Sequence, residues 1–596
     1  MKSHRYTYAV IVLSLLVLLP PLYAGRKVYS TASSFKTAIQ NAVPGDTIEL
    51  ADGQYDIGGN SMTKSGTEQA RILIRAEHRG KAEVKGKSSF ACKGIAYLTI
   101  EGFLFTSDVS TVVKTESSNN IRITRNTFRL SETTSSKWIL IGGTYNIAAA
   151  NSHHNRIDHN LFDEKHQLGN YITIDGSPAD LGSPEASQYD RIDHNYFRNI
   201  GPRAVNEMET IRIGQSEICR SSSYTLVEYN LFEECDGDPE IVSVKTKNCI
   251  IRYNTIKRSQ GTICLRSSDS STVEGNYFFG NGKIGTGGIR LYGSGHRIIN
   301  NYFENLTGDT WDAACTITNG DAELTGSNTS HWRPQNITVA YNTYIGNANN
   351  FQFGFTNNGS YSKAPKNITI ANNIVIGNQN QLVKVITQPS SMIFTGNIML
   401  PQGAASIGVS VPDSQIRVID PLLQFSDSFW RISASSPAVD AAAGSYDVAA
   451  LDIDGQVRDA RKDVGADEYS SGQRLSRPLV AADVGPDGPD SITVITSVRK
   501  NGNVAGVPSD MTLYQNFPNP FNPETIIEFT VPSEGWAVMK VFDVLGREVS
   551  TLFNDVASAG TRYSAAFNAS SLPGGLYFSR LEFNGKSVVK KMILVK

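Results

Sequence analysis

Charge is in short supply. Only 19% of the 596 residues are Asp, Glu, Lys or Arg, against roughly 25% in ordinary soluble domains, and 55 basic against 57 acidic residues leave a net charge of -2. A protein that holds nucleic acid by neutralising phosphates is clearly basic, so no nucleic-acid partner is expected. Cysteine is scarce as well: six residues are too few for a disulfide scaffold and are expected to serve as small apolar wall residues. Beyond Leu19 no apolar run approaches the ~20 residues of a membrane-spanning helix, so no stable membrane span is expected. The one early run, Ala9 to Leu19, follows Lys2, His4 and Arg5 and precedes Leu22-Tyr23-Ala24. That is the pattern of a secretory signal peptide over residues 1–24 rather than of an uncleaved anchor. A Gly-rich phosphate loop, a Ser nucleophile elbow and a Cys-x-x-Cys pair are also missing.

What the chain does have is a repeat. An Asn followed by two mostly apolar residues recurs at Asn126, Asn160, Asn195, Asn230, Asn254, Asn276, Asn301, Asn342, Asn373 and Asn397. Several spacings fall between 22 and 25, and the longer ones read as that unit plus an inserted loop. Around each Asn the residues alternate and favour strands, as in Val227-Glu228-Tyr229-Asn230-Leu231-Phe232. Strands this short close no core alone, but three per coil, stacked along an axis, build a right-handed parallel β-helix. Asn suits its turns by tolerating the left-handed conformation and by bonding to its stacked copies. A leucine-rich repeat lacks its leucines here, and a propeller needs ~40-residue blades.

A solenoid needs capped ends. Phe35, Ala38, Ile39 and Ala42 fall at helical spacing after Ser33 and Ser34, so a short amphipathic helix is expected over the first coil. At the far end, Asp452-Ile453-Asp454-Gly455-Gln456 and Asp463 to Tyr469 read as a closing turn network rather than a metal site. Residues 471–510 are rich in Ser, Gly, Pro and Asp and read as a linker. Alternating strands follow, among them Thr525 to Val531 and Trp536 to Asp543, and predict a small β-sandwich over residues 511–596. The run Tyr514 to Pro523, with Leu572-Pro573-Gly574-Gly575-Leu576-Tyr577 and the basic tail from Lys590 to Lys596, resembles the C-terminal sorting domain of the type IX secretion system. That resemblance implies the type IX machinery as a partner, export across the outer membrane and a secreted or surface location. A fibronectin-like or carbohydrate-binding module is the competing reading.

Polar residues break the wall pattern between Asn195 and Asn301. Asp238 and Glu240 share a strand face by the period of two, so both carboxylates are expected to point outward to one cation, and oxygen ligands suit calcium. Lys245, Arg266 and Arg290 lie 9, 10 and 11 residues before a repeat Asn and are expected to stack on successive rungs. A row of cations beside two acids suits β-elimination from a polyuronate. The C5 proton of a uronic acid becomes removable once a cation neutralises the adjacent carboxylate, a Lys of lowered pKa takes it, and a second group assists the leaving oxygen.

At these positions the chain resembles polysaccharide lyase family 6, which holds alginate lyases and a dermatan-cleaving chondroitinase. The motifs are Asn206-Glu207-Met208-Glu209-Thr210-Ile211-Arg212-Ile213-Gly214, Glu240 to Lys245 and Gly261 to Arg266, within a span of residues 25–470. The resemblance implies Lys245 as base and Arg266 as acid. It places Asn206, Asp238 and Glu240 around Ca2+, and Glu209, Arg212 and Arg290 in or beside the groove. Lys165 and His166 match a groove-lining stretch loosely. Asp238 stands where the family's pattern has Glu, and Ser267-Ser268 follows Arg266 where it often has His-Gly. His153, His154, His159 and His194 adjoin repeat positions and are expected to be structural. The reading is a secreted, calcium-assisted lyase of an anionic polysaccharide, alginate first, with a dermatan sulfate lyase or a non-catalytic β-helix adhesin as alternatives.

Overall fold

The recurring Asn marks a stack. The computed structural model describes residues 26–142, 151–177, 185–446, 449–470, 474, 476–489, 498–503 and, with short gaps, 510–595; the signal peptide read over residues 1–24 lies outside them. Three parallel sheets of 14, 12 and 14 strands run along the molecule. Each coil gives one strand to each sheet, as Arg191–Asp193, Tyr196–Ile200 and Ile211–Ile213 do. Successive coils pair in register, Ile157 on Ile192 and Ile192 on Val227. This is the expected parallel β-helix. Its core is one continuous column, because the same inward position recurs on every coil: Phe105, Phe128, Phe162, Phe197 and Phe232 stack with centroids 4.8 to 5.0 Å apart.

The Asn ladder runs without a break among the ten repeat positions. Asn195, for example, receives bonds from the backbone N and Nδ2 of Asn160 and passes them on to Asn230 Oδ1 at 2.9 and 3.0 Å. Its Nδ2 also reaches the Ile157 carbonyl of the coil before. The left-handed residue, however, is not the Asn. It is the residue before it: His159, His194, Tyr229, Tyr253 and Tyr341 have φ of 52 to 55°. The Asn is needed for its amide, which satisfies turn N–H and C=O groups that the fully buried bend takes from water.

The first coil is covered by a helix, Ala32–Gln40, with Phe35 and Ile39 buried. Its cap is Thr31, which accepts from Ser34 N at 3.2 Å, one turn earlier than the serines expected for that role. At the other end the acids do form a turn network. Asp452 accepts from Gln456 N at 2.6 Å and Glu468 N at 3.0 Å, and Arg458 ties Glu468 to the carbonyls of Gly465 and Ala466. All six cysteines are buried and unpaired.

The stretch read as a linker is not free of the solenoid throughout. Leu479 and Val484 pack with Tyr229, Leu231 and Tyr253, and Arg125 holds the carbonyls of Pro486 and Gly488. Farther on, Val498–Asn503 pairs with Thr561–Asn568, so the sandwich takes in a strand from that same stretch. Two antiparallel four-stranded sheets make up the sandwich.

Candidate functional site

The outer face of the 12-stranded sheet carries the unusual residues. Its strands Ile172–Ile174, Ile211–Ile213, Glu240–Val244, Gly261–Leu265 and Thr286–Leu291 pair in that order. In register, Ile213, Val244, Leu265 and Leu291 point inward, so the next residue of each strand points out. Lys245, Arg266 and Tyr292 are therefore neighbours on three successive coils, each tied to the coil before by its backbone N–H. Gly261 permits this close stacking: a Cβ there would stand 2.7 Å from the carbonyls of Asp238 and Pro239.

Arg290 does not join that row. It pairs with Cys264, two residues short of the expected register, and Tyr292 takes the place in the row beside Arg266. Its guanidinium is 5% exposed and committed: Nη2 donates to Asp312 at 3.0 Å, Nε to the Trp311 carbonyl at 3.1 Å, and Nη1 stands 3.8 Å from Glu240. Arg290 thus braces Glu240 rather than facing a groove. Lys165 is likewise fully buried, paired with Glu132 and Ser136, which corrects its expected contact with substrate. His166 is exposed, bonded to the Gly201 carbonyl at 2.8 Å and to Glu164 at 3.1 Å.

Lys245 and Arg266 are the opposite case. Both are only partly exposed, and among the described residues neither side chain has a hydrogen bond or an ion pair. Burial and the adjacent Arg266 push the Lys245 ammonium below its usual range. Arg212, one coil before Lys245, has among the described residues only Glu209, at 3.8 Å.

The acids gather beside this row. Asp238 accepts from Glu240 N at 2.9 Å and Met208 N at 3.3 Å. Burial, then Glu209 and Glu240, push the Asp238 carboxyl up to about 7. Burial works against Glu240 too, but Arg266, Arg290 and Lys245 outweigh it and hold its carboxylate low, while Ser243 donates to it at 2.5 Å. Glu209 is buried and takes a bond from Asn170 at 2.7 Å, so it belongs with the acids rather than with an open groove. Asn206 is exposed on the loop two residues before Met208. The donor set of Asp238, Glu240 and Asn206 is all oxygen, which fits a hard cation such as Ca2+, and a cation there would relieve the repulsion at Asp238. Three acid or His ligand atoms within 4.8 Å of one another occur, among the described residues, only at Asp52, Glu77 and His78 and at Asp452, Asp454 and Asp467.

Inspection of the sequence missed the residues that long loops bring in. His331 and Tyr361 lie within electrostatic reach of Arg266, their side chains 3.1 Å apart, and His331 also meets Asp321 at 3.3 Å. A histidine thus stands near Arg266 although Ser267 follows it in the chain. These loops lie between repeat positions, where periodicity carries no signal.

Residues 29–412 match the chondroitinase B family, and residues 515–596 match the secretion system C-terminal sorting domain, which indicates type IX secretion to the surface or the medium. No curated protein matches the chain. Among solved structures, the PL6 family alginate lyase AlyGC is similar at 26% identity and a TM-score of 0.63, over 78% of this chain and 59% of its own. The chain therefore spans 59% of the length of that relative. A mannuronic acid specific family 6 lyase from human gut microbiota aligns at 24% identity and TM-score 0.55, over 66% of this chain and 91% of its own. A PL6 alginate lyase in complex with a trisaccharide aligns at 21% identity and TM-score 0.55, over 69% and 90%. The last two are likenesses of fold.

Proposed function

Starting from a chain that belongs to the chondroitinase B family, polysaccharide lyase family 6, we propose that it is a secreted lyase that cleaves alginate by β-elimination. The observation that carries the reading is the pair Lys245 and Arg266: adjacent, half-buried cations without partners among the described residues, beside the buried acids Glu209, Asp238 and Glu240. Half-buried cations that the fold leaves unpaired beside perturbed acids are what a site for an anionic ligand requires.

In this reading neutral Lys245, favoured by burial and by Arg266, takes the C5 proton of the uronate. The C–H electron pair becomes the C4=C5 double bond, the C4–O4 bond breaks, and Arg266 gives a proton to the departing oxygen. Arg212 lies one coil from Lys245 and orients a neighbouring carboxylate. Asn206, Asp238 and Glu240 would hold Ca2+, which supplies charge neutralisation at the substrate carboxylate. Arg290 keeps Glu240 in place. The domains in this reading are residues 1–24 signal peptide, 25–470 lyase, a connecting stretch from 471, and a sorting sandwich of residues 511–596 joined by the strand Val498–Asn503.

The test is ultraviolet absorbance of the 4,5-unsaturated product on alginate and on dermatan sulfate, with and without a chelator. Absorbance on alginate, lost with chelator, is expected; no signal on either polymer sinks the lyase reading. A signal on dermatan sulfate alone moves the substrate to iduronate chains, the second reading that the name of the matched family favours.

A further inference from the structure

The cation row does not end at Arg212. Lys137 lies immediately before the strand Ile139–Ile141, which pairs with Ile172–Ile174 and through it with Ile211–Ile213. Trp138 and Ile139 are both fully buried, so the alternation breaks at the start of this strand, and Lys137 is left half-exposed within electrostatic reach of Arg212. Its ammonium has no hydrogen bond and no ion pair among the described residues, and it is only partly exposed. Burial and the nearby Arg212 push it below the ordinary lysine range, while Asp175, Glu207 and Glu209 oppose that at longer reach.

Polar side chains lie between Lys137 and Arg212, with the buried Glu209 bonded to Asn170 at 2.7 Å. Thr173 donates to Asn170 at 2.9 Å, and these two side chains lie on the coil between the cations. Asp175, on the same coil, is turned toward its own loop: it accepts from Gly176 N at 2.9 Å and from Gln215. Where Lys165, a similar lysine nearby, is neutralised by Glu132, Lys137 is left open.

We propose that Lys137 binds a further carboxylate of the polyanion, at the end of a groove that runs obliquely across the coils from Arg266 through Arg212 to Lys137. The strand of Lys137 and that of Arg266 are separated by three intervening strands of the sheet. Lys137 also stands five residues along the strand from the column of Lys245 and Arg266, since Ile141, Ile174, Ile213, Val244 and Leu265 share one register. Four rungs at ~4.8 Å and five residues at ~3.3 Å make an oblique span of about 25 Å, enough for roughly five to six sugars, with carboxylates met at Lys137, Arg212 and the Lys245–Arg266 pair. The bound chain then extends from the reacting centre toward the N-terminal coils. This inference rests on the lyase reading for its ligand class and deepens it by fixing direction and length.

The experiment uses full-length protein and uronate oligomers of two to six sugars. Binding is measured by titration calorimetry with the K245A protein, which cannot turn substrate over, and with K245A/K137A; kcat and KM are measured with wild type, Lys137→Ala and Lys137→Arg. Oligomers of five and six sugars should bind K245A/K137A about tenfold more weakly than K245A, and dimers and trimers equally. In turnover, Lys137→Ala should raise KM about tenfold for the long oligomers at unchanged kcat, and Lys137→Arg should restore it, an effect that loss of folding would not confine to long chains. Equal affinities at every length, or an equal loss at every length, overturn the subsite. A wild type that cleaves nothing but still binds long oligomers through Lys137 overturns the lyase reading alone.

Discussion

Two outer faces of the same coil use charge in opposite ways. On the first 14-stranded sheet each of three successive Arg residues reaches the acid of the next coil: Arg122 to Asp158, Arg156 to Asp193 and Arg191 to Glu228, each at 2.6 Å. Burial works against Asp193, yet Arg156, His194 and Arg191 hold its carboxylate down at about 2. On the 12-stranded sheet Lys137, Lys245 and Arg266 have no partner among the described residues, and Asp238 is pushed up to about 7 by burial, Glu209 and Glu240. The pairing geometry is the same. What differs is whether the opposite charge sits one coil away, so the first face supplies stability and the second, in the proposed function, is completed by a ligand.

Breaking the second face should cost activity and not fold. Lys245→Ala is expected to lower kcat/KM by about 10³-fold, within the range of a lost general base, with an unchanged melting temperature. A variant that cleaves at the wild-type rate would remove Lys245 as base. Breaking the first face should do the reverse. Asp193→Ala strands Arg156 and His194 beside a fully buried site, and denaturant unfolding should show a loss of about 3 kcal/mol with kcat unchanged below the transition. The Asn ladder lies between the two: Asn230→Ala takes the Oδ1 acceptor from the buried Asn195 backbone N–H and a donor from the Ile192 carbonyl, for about 2 kcal/mol.

The smallest effect sharpens the contrast by pH. Asp467, in the closing network, is pushed up to about 7 mainly by burial. Its folded pKa lies above the unfolded value of 3.8, so its contribution to stability is complete below that value and is lost as pH rises through about 7. Asp193 behaves in the opposite sense: its contribution is present above the unfolded value and is lost only as pH falls through about 2. Asp467→Asn should therefore unfold later than wild type at pH 8, by about 1 kcal/mol once the weakened Arg431 contact is set against it, and the advantage should vanish near pH 4. A flat difference across that range would remove Asp467 as the group responsible.

Most of the architecture was legible because it repeats. A core position that recurs every coil writes itself into the sequence as a period, and the Asn ladder is the clearest instance. The site was legible in part. Lys245, Arg266, Asp238 and Glu240 stand out as polar residues in apolar strands, whereas Arg290 and Lys165 look equally available and are in fact spent on Asp312 and Glu132. Residue type indicates a charge; only the neighbouring coil says whether it is already paired. The same limit hid His331 and Tyr361, which reach Arg266 from loops with no period to read.

By itself, then, the sequence determined the solenoid, its Asn turns, the sandwich that follows and the cluster of charge between Asn195 and Asn301, since each is set by local period or composition. Tertiary structure alone decided which cations stay free, that Arg290 falls two residues out of line with Arg266, that the residue before each Asn takes the left-handed turn, and that Leu479 and Val484 lie against the solenoid. The physical reason is that pairing and burial are relations between coils 22 to 41 residues apart in the chain. A one-residue drift in register at any of them exchanges a free side chain for a committed one.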